Sequence, residues 1–209
     1  MTIKNRLLVG VSAMLVSHFT MAAISPAATT LKQTLMGIED YQASFDQQVT
    51  DSSGNLVQES TGTLTLARPN QLRWETHSPD ESLLIADGES VWYIDPFAEQ
   101  VTVMDQDNAI ENNPVILLTS NDESTWEKFT VETAADTTNT YYIEPIENNG
   151  QVRRLTITFK DGNLVSLSTA DAQAQTSKLH FSHIKVNAQP APGLFKAQFD
   201  DSFIIDDQR

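Results

Sequence analysis

Proton transfer near neutral pH and metal ligation both favour histidine, and the chain has four: His18, His77, His180 and His183. The first lies in an apolar N-terminal stretch. His180 and His183 are three residues apart in an alternating run, where a regular strand would turn them to opposite faces and make them a poor metal pair. Cysteine is absent, so there is no thiolate nucleophile, no disulfide and no residue for self-lipidation. Neither a G-x-S-x-G elbow nor a G-x-x-x-x-G-K-[ST] phosphate loop occurs, and any directional work must be powered by a partner. The 28 acidic residues offer many carboxylates, but none forms a distinct glycosidase-like pair, and Asp206 and Asp207 fall in the terminal segment. The expectation is a protein without catalytic residues, metal or cofactor. An unrecognised hydrolase, the enzymatic alternative, would show ligand turnover with a defined pH profile.

Apolar matter is the more conspicuous feature. Trp74, Trp92 and Trp126 fall in three expected strands, with Leu72, Leu83, Ile85, Ile94, Val101, Val103 and Phe129 crowded into the same half of the chain. Runs of alternating apolar and polar residues, such as Leu64 and Leu66 against Thr63 and Thr65, predict half-buried strands. Turn-forming pairs at Gly54-Asn55, Asp87-Gly88, Asp95-Pro96, Asn149-Gly150 and Asp161-Gly162 separate them, so consecutive strands should pair antiparallel. About eleven strands result, near residues 43–51, 56–66, 71–77, 81–87, 90–95, 100–105, 126–132, 140–145, 152–160, 163–169 and 178–186. A sheet this large curls or closes. Its concave surface exceeds what one short helix can cover, leaving room for a cavity.

Two helical pieces interrupt the β pattern. Leu31, Leu35 and Ile38 recur at helical spacing, with Thr30 placed to cap the start and Gly37 weakening the end. Residues 113–121 hold Pro114 at a first helical position, followed by the continuous apolar run Val115 to Leu118. That piece is too short to stand alone and is expected to lean across the sheet as a plug or a movable lid.

At the N-terminus, Lys4 and Arg6 precede an apolar run from Leu7 to Val16 and small residues at Ala22 and Ala23, the layout of a cleaved secretory signal over residues 1–22. One mature domain, residues 23–209, is expected to follow and to remain soluble. The formal charge of −15, made more negative by loss of the leader, disfavours nucleic acid and anionic lipid surfaces.

Several segments together resemble one family, the periplasmic lipoprotein-carrier proteins of Gram-negative bacteria, the LolA type. They are Ala43-Ser44-Phe45-Asp46-Gln47, Arg68-Pro69-Asn70 with Trp74 close behind, Ser78-Pro79-Asp80-Glu81-Ser82, Asp87-Gly88 leading to Val91-Trp92, Asp95-Pro96-Phe97 with Glu99-Gln100, and Asp206-Asp207-Gln208-Arg209. The resemblance spans nearly the whole mature chain. It implies a mainly β protein, an incomplete antiparallel β-barrel whose lid of short α-helices covers an apolar cavity for acyl chains. It further implies a periplasmic monomer that takes acylated lipoproteins as cargo from an inner-membrane ABC-transporter complex and hands them to an outer-membrane lipoprotein receptor, without stable membrane association. Arg68 matches the arginine that latches the family's lid, with backbone near Leu35 and Leu118 as partners. A planar fork of five donors suits several carbonyls at once. Leu72, Trp74, Leu83, Ile85, Trp92, Val115 and Leu117 are expected to line the acyl cavity and the lid. Leu72, at the cavity mouth, replaces a common aromatic, and Val115 stands where phenylalanine is expected, so the lid should bury less area than a typical relative's. A binding module for free lipid or a polyprenyl chain is the alternative that the same barrel would serve.

Overall fold

The computed structural model describes residues 25–109, 114–147, 150–191 and 193–209. The expected signal segment, Asn113 and Asn149 lie outside the described residues. One sheet of twelve strands dominates: β1 Asp40–Thr50, β2 Leu56–Ala67, β3 Gln71–Ser78, β4 Ser82–Ala86, β5 Ser90–Asp95, β6 Gln100–Asp105, β7 Phe129–Thr133, β8 Thr140–Pro145, β9 Val152–Lys160, β10 Asn163–Asp171, β11 Thr176–Val186 and β12 Ile204–Asp207. Their spatial order is β12-β6-β5-β4-β3-β2-β1-β11-β10-β9-β8-β7, so the sheet is open, with β12 and β7 as its edges. Side-chain alternation explains most of the element boundaries. In β1, Tyr41, Ala43 and Phe45 are buried in alternation, and Leu155, Ile157 and Phe159 repeat the pattern in β9. Between β9 and β10, Asp161 and Gly162 both take positive φ, at 52° and 78°, as a two-residue hairpin turn requires.

Two strand expectations need correction. The sheet has a twelfth strand, and it runs parallel to β6, with Ile205 opposite Val101 and Asp207 opposite Val103. Consecutive hairpins account for the antiparallel pairs, but β12 returns from a long excursion and its direction is free of that constraint. Trp126 does not begin a strand. It closes the short helix α3, Glu123–Trp126, which Asp122 caps through its side chain.

Three further helical pieces lie off the sheet: α1 Pro26–Met36, α2 Gln106–Ala109 and a 3₁₀ helix Pro114–Thr119. The cap of α1 is Ser25, five residues before the expected Thr30. Ser25 accepts a hydrogen bond from the Ala28 N–H, and Pro26 fills the first position, where its missing N–H costs nothing. Thr30 lies inside the helix and donates back to the Pro26 carbonyl. Ser25 also donates to the Val131 carbonyl at 2.8 Å, which ties the start of α1 to edge strand β7.

The main core fills the concave side of the sheet. Leu31 and Leu35 from α1 and Val115, Ile116, Leu117 and Leu118 from the 3₁₀ helix enter it and meet Tyr41, Phe45, Leu64, Leu72, Leu155 and Leu164 from the strands. Close contact fixes one glycine here. A Cβ on Gly62 would stand 2.6 Å from the Phe45 ring, which packs on Trp74 with centroids 5.2 Å apart. A second, smaller cluster lies on the other face, where the segment between β11 and β12 packs Phe195, Leu194 and Ala197 onto Ala67, Leu83, Ile85 and Trp92.

Candidate functional site: an arginine-held lid over the concave core

Arg68 directly follows β2 and opens the turn to β3, and its half-buried side chain reaches under both lid helices. Nε donates to the carbonyls of Leu35 at 3.1 Å and Ile38 at 3.0 Å, at the end of α1. Nη2 donates to the Leu118 carbonyl at 2.8 Å, and Nη1 to Thr119 and Ser120 carbonyls at 3.4 Å and to Asn121 Oδ1 at 2.6 Å. All of these partners are neutral. Helix ends leave carbonyls without intrahelical donors and carry partial negative charge, so a guanidinium between two such ends satisfies both. Burial lowers its proton affinity from the ordinary arginine value, but an arginine retains its charge under all working conditions.

The loop that carries Arg68 is itself held in place. Asn70, at φ 59°, donates its N–H to the Thr119 carbonyl at 3.1 Å. The buried Gln106 donates from Nε2 to the Asn70 carbonyl at 2.9 Å and accepts the Gly88 N–H at 3.1 Å. A second brace joins the lid helices to each other. Lys32 of α1 forms an ion pair with Glu123 of α3 and stands 5.8 Å from the centre of the Trp126 ring, while the Trp126 indole donates to the Ser120 carbonyl at 3.2 Å.

Of the residues singled out from the sequence, the structure brings together Arg68, Leu35, Leu118, Leu117, Val115, Leu72 and Trp74. The carbonyls of Leu35 and Leu118 accept from Arg68, while their side chains, with those of Val115 and Leu117, are buried in the concave core. Leu72, expected at the mouth, is wholly enclosed at 0% exposure. Trp74 borders a groove of about 290 Å³ that is also lined by Leu84, Val115, Leu167 and Leu179. Leu83, Ile85 and Trp92 do not belong to this interior. They pair across β3 to β5 in step with Arg73 and Glu75, whereas Leu72 and Trp74 pair in step with Ala86 and Leu84, so strand alternation turns the two sets to opposite faces. Trp92 instead donates its indole N–H to Asp87 and packs near Phe199 on the convex side.

Ile38, Asn70, Gln106, Thr119, Ser120, Asn121, Lys32 and Trp126 were missed. Ile38, Asn70, Thr119 and Ser120 contribute backbone carbonyls, which have no signature in side-chain identity. His183 sits in a bulge of β11 at φ 50°, and both it and His180 are exposed. Among the described residues, no group of three or more His, Cys, Asp or Glu side chains could hold a metal ion, and no helix is long and apolar enough to cross a membrane.

An apolar interior filled by a neutral, hydrogen-bonded cover suits storage of an apolar ligand. Known proteins agree with that architecture. Residues 36–198 match the family described as "Outer membrane lipoprotein carrier protein LolA". An outer-membrane lipoprotein carrier protein of Shewanella frigidimarina is 36% identical over 90% of this chain and 89% of its own. That of Pasteurella multocida is 34% identical, covering 98% of each chain. A crystal structure of an uncharacterised conserved protein from Thermus thermophilus shares the fold alone, with a TM-score of 0.51 at 10% identity, over 87% of this chain and 99% of that one. With the match running from the end of α1 past β11, through Arg68 and the 3₁₀ helix, the chain belongs to the LolA family of outer membrane lipoprotein carrier proteins.

Proposed function

We propose that this protein carries acylated lipoproteins through the periplasm, accepting them from an inner-membrane ABC-transporter complex and delivering them to an outer-membrane lipoprotein receptor. Export by the leader at residues 1–22 puts it in that compartment, and it performs no catalysis. The observation that carries the reading is the half-buried Arg68, whose neutral partners lie on two lid helices that hold Val115 to Leu118 inside the sheet.

The energetics favour a reversible carrier. Acyl chains entering water-free surroundings gain about 0.8 kcal/mol per methylene, and several long chains held at that rate would never leave. Here the interior is already occupied. Displacing the fully buried Val115, Ile116, Leu117 and Leu118 forfeits roughly 1.5–3 kcal/mol each. The exchange therefore cancels the gain from about 8–15 methylenes, so net affinity falls into a range from which a receptor can extract the cargo. Arg68 adds to that counterweight, because opening the lid strips its carbonyl partners.

Arg68→Leu tests the reading. Removing the fork leaves α1 and the 3₁₀ helix without a common anchor, favouring the open, loaded form. In a reconstituted assay from inner-membrane vesicles to receptor, the variant should accept lipoprotein but release about tenfold less, consistent with one or two lost charge-assisted hydrogen bonds. Unchanged handover would remove Arg68 from the mechanism. Native mass spectrometry of protein isolated from its envelope tests the cargo: lipoprotein-sized adducts support the carrier, whereas small lipids alone would transfer the reading to a free-lipid or polyprenyl binder.

A further inference from the structure

The concave face is not uniformly apolar along its strands. Near Arg68 the rows are Tyr41, Leu66, Leu72 and Ala86, then Ala43, Leu64, Trp74 and Leu84. Toward the opposite end the same alternation places Thr76 across from Ser82 and Gln47 across from Ser60. The groove of about 290 Å³ lies at this change of character, with Gln47, Thr76, Ser82, Thr169 and Ser177 on its polar side and Trp74, Leu84 and Val115 on its apolar side. Among the described residues none of its lining side chains is charged, in a protein where 20% of residues are charged.

Gln47 is held at the centre of this collar. Its Nε2 donates to Ser177 Oγ at 2.6 Å, and its Oε1 accepts from the buried Ser60 hydroxyl at 2.8 Å. A primary amide has two N–H donors and two acceptor lone pairs, so this arrangement orients the group and leaves half its capacity available to the groove. Val115 belongs to both the lid and the groove lining, so withdrawal of the 3₁₀ helix would join the groove to the space that its apolar side chains fill.

We infer that this neutral collar receives the uncharged, carbonyl-rich headgroup of the cargo, the glyceryl esters and the amide at an acylated cysteine, while the attached chains replace the lid side chains deeper in. The inference rests on the carrier reading and specifies its ligand chemistry. A phosphate-bearing lipid would bring an anion to a half-buried site with no cation to meet it, and such a charge is costly to desolvate. An ester or amide carbonyl needs only the donors that Gln47 and the hydroxyls supply.

The test compares two probes on the full mature chain by titration and native mass spectrometry: a dipalmitoylglyceryl-N-palmitoyl-cysteinyl peptide and dipalmitoyl phosphatidylglycerol. The wild type should bind the lipopeptide at least about tenfold more tightly. Gln47→Glu, which keeps shape and adds a charge, should weaken lipopeptide binding by about tenfold, and Gln47→Lys should narrow the preference over phosphatidylglycerol. Ser82→Asp is the second acidic variant, on another strand, should Gln47→Glu fail to fold. Equal wild-type affinity for the two probes, or lipopeptide binding indifferent to the added charges, would overturn the inference and leave the carrier reading intact. No lipopeptide binding by the wild type would defeat the carrier reading itself.

Discussion

Tyr41 shows how one polar atom is accommodated in the concave core. Its ring is buried against Phe181 in an edge-to-face contact, and its hydroxyl donates to the Leu164 carbonyl at 2.7 Å. Desolvation penalises the phenolate and raises the ionisation above the ordinary tyrosine value. In the unfolded chain the group titrates normally, near 10. The folded state therefore holds this proton more tightly, and the associated stability is fully present below about pH 10 and lost as pH rises beyond it. The phenolate absorbance of Tyr41 should develop only with unfolding. Tyr41→Phe should lower stability at pH 7 by about 1 kcal/mol through the lost hydrogen bond. The same variant should flatten the decline above pH 10 in urea titrations. An unaltered alkaline limb would show that another group governs it. Arg68 was legible for a different reason: Arg68-Pro69-Asn70 with Trp74 matches the segment that carries the family's latching arginine, and its fork of donors suits several carbonyls. Its partners could be placed only to the nearest helix end, since carbonyls carry no sequence signature.

The two lid braces differ in burial, and that difference orders their effects. Lys32 and Glu123 are 18% and 50% exposed, so water and salt screen their attraction. Arg68 works beneath both helix ends, where each lost partner leaves a carbonyl poorly satisfied. Lys32→Ala should therefore change global stability by less than about 1 kcal/mol. Amide exchange over residues 114–126 should quicken for Lys32→Ala, but by less than for Arg68→Leu; a reversed order would make the surface brace the principal hold. Element by element, strands were readable wherever one face is buried and the other wet, as in β1, β9 and β10. β12 was not, because Ile204 and Ile205 are 70% and 55% exposed and show no alternation, and its partner β6 is distant in sequence. The start of α1 was misplaced because apolar spacing begins at Leu31, a full turn after Ser25 and Pro26 have begun the helix.

At the scale of the whole molecule, β4 and β5 are covered on both faces, by the main core on the concave side and by the segment around Phe195 on the convex side. This double burial explains why Leu83, Ile85 and Trp92 could not be separated from Leu72 and Trp74 by sequence. Alternation reveals that two faces exist, but when both are apolar it does not say which encloses the cavity. The arrangement also divides stability from gating. Phe195 is 8% exposed and packs on Ala67 and Ile85, with none of the Arg68 partners in its cluster. Phe195→Ala should cost about 3–5 kcal/mol in denaturant unfolding by leaving a cavity against the convex face. It should not alter lid exchange at residues 114–119, because no lid side chain enters that cluster. Combined with Arg68→Leu, the two stability losses should add within about 0.5 kcal/mol, as expected for sites that share no partner. A larger coupling energy in that double-mutant cycle would mean that the sheet transmits strain between its faces and that the convex cover takes part in opening the lid.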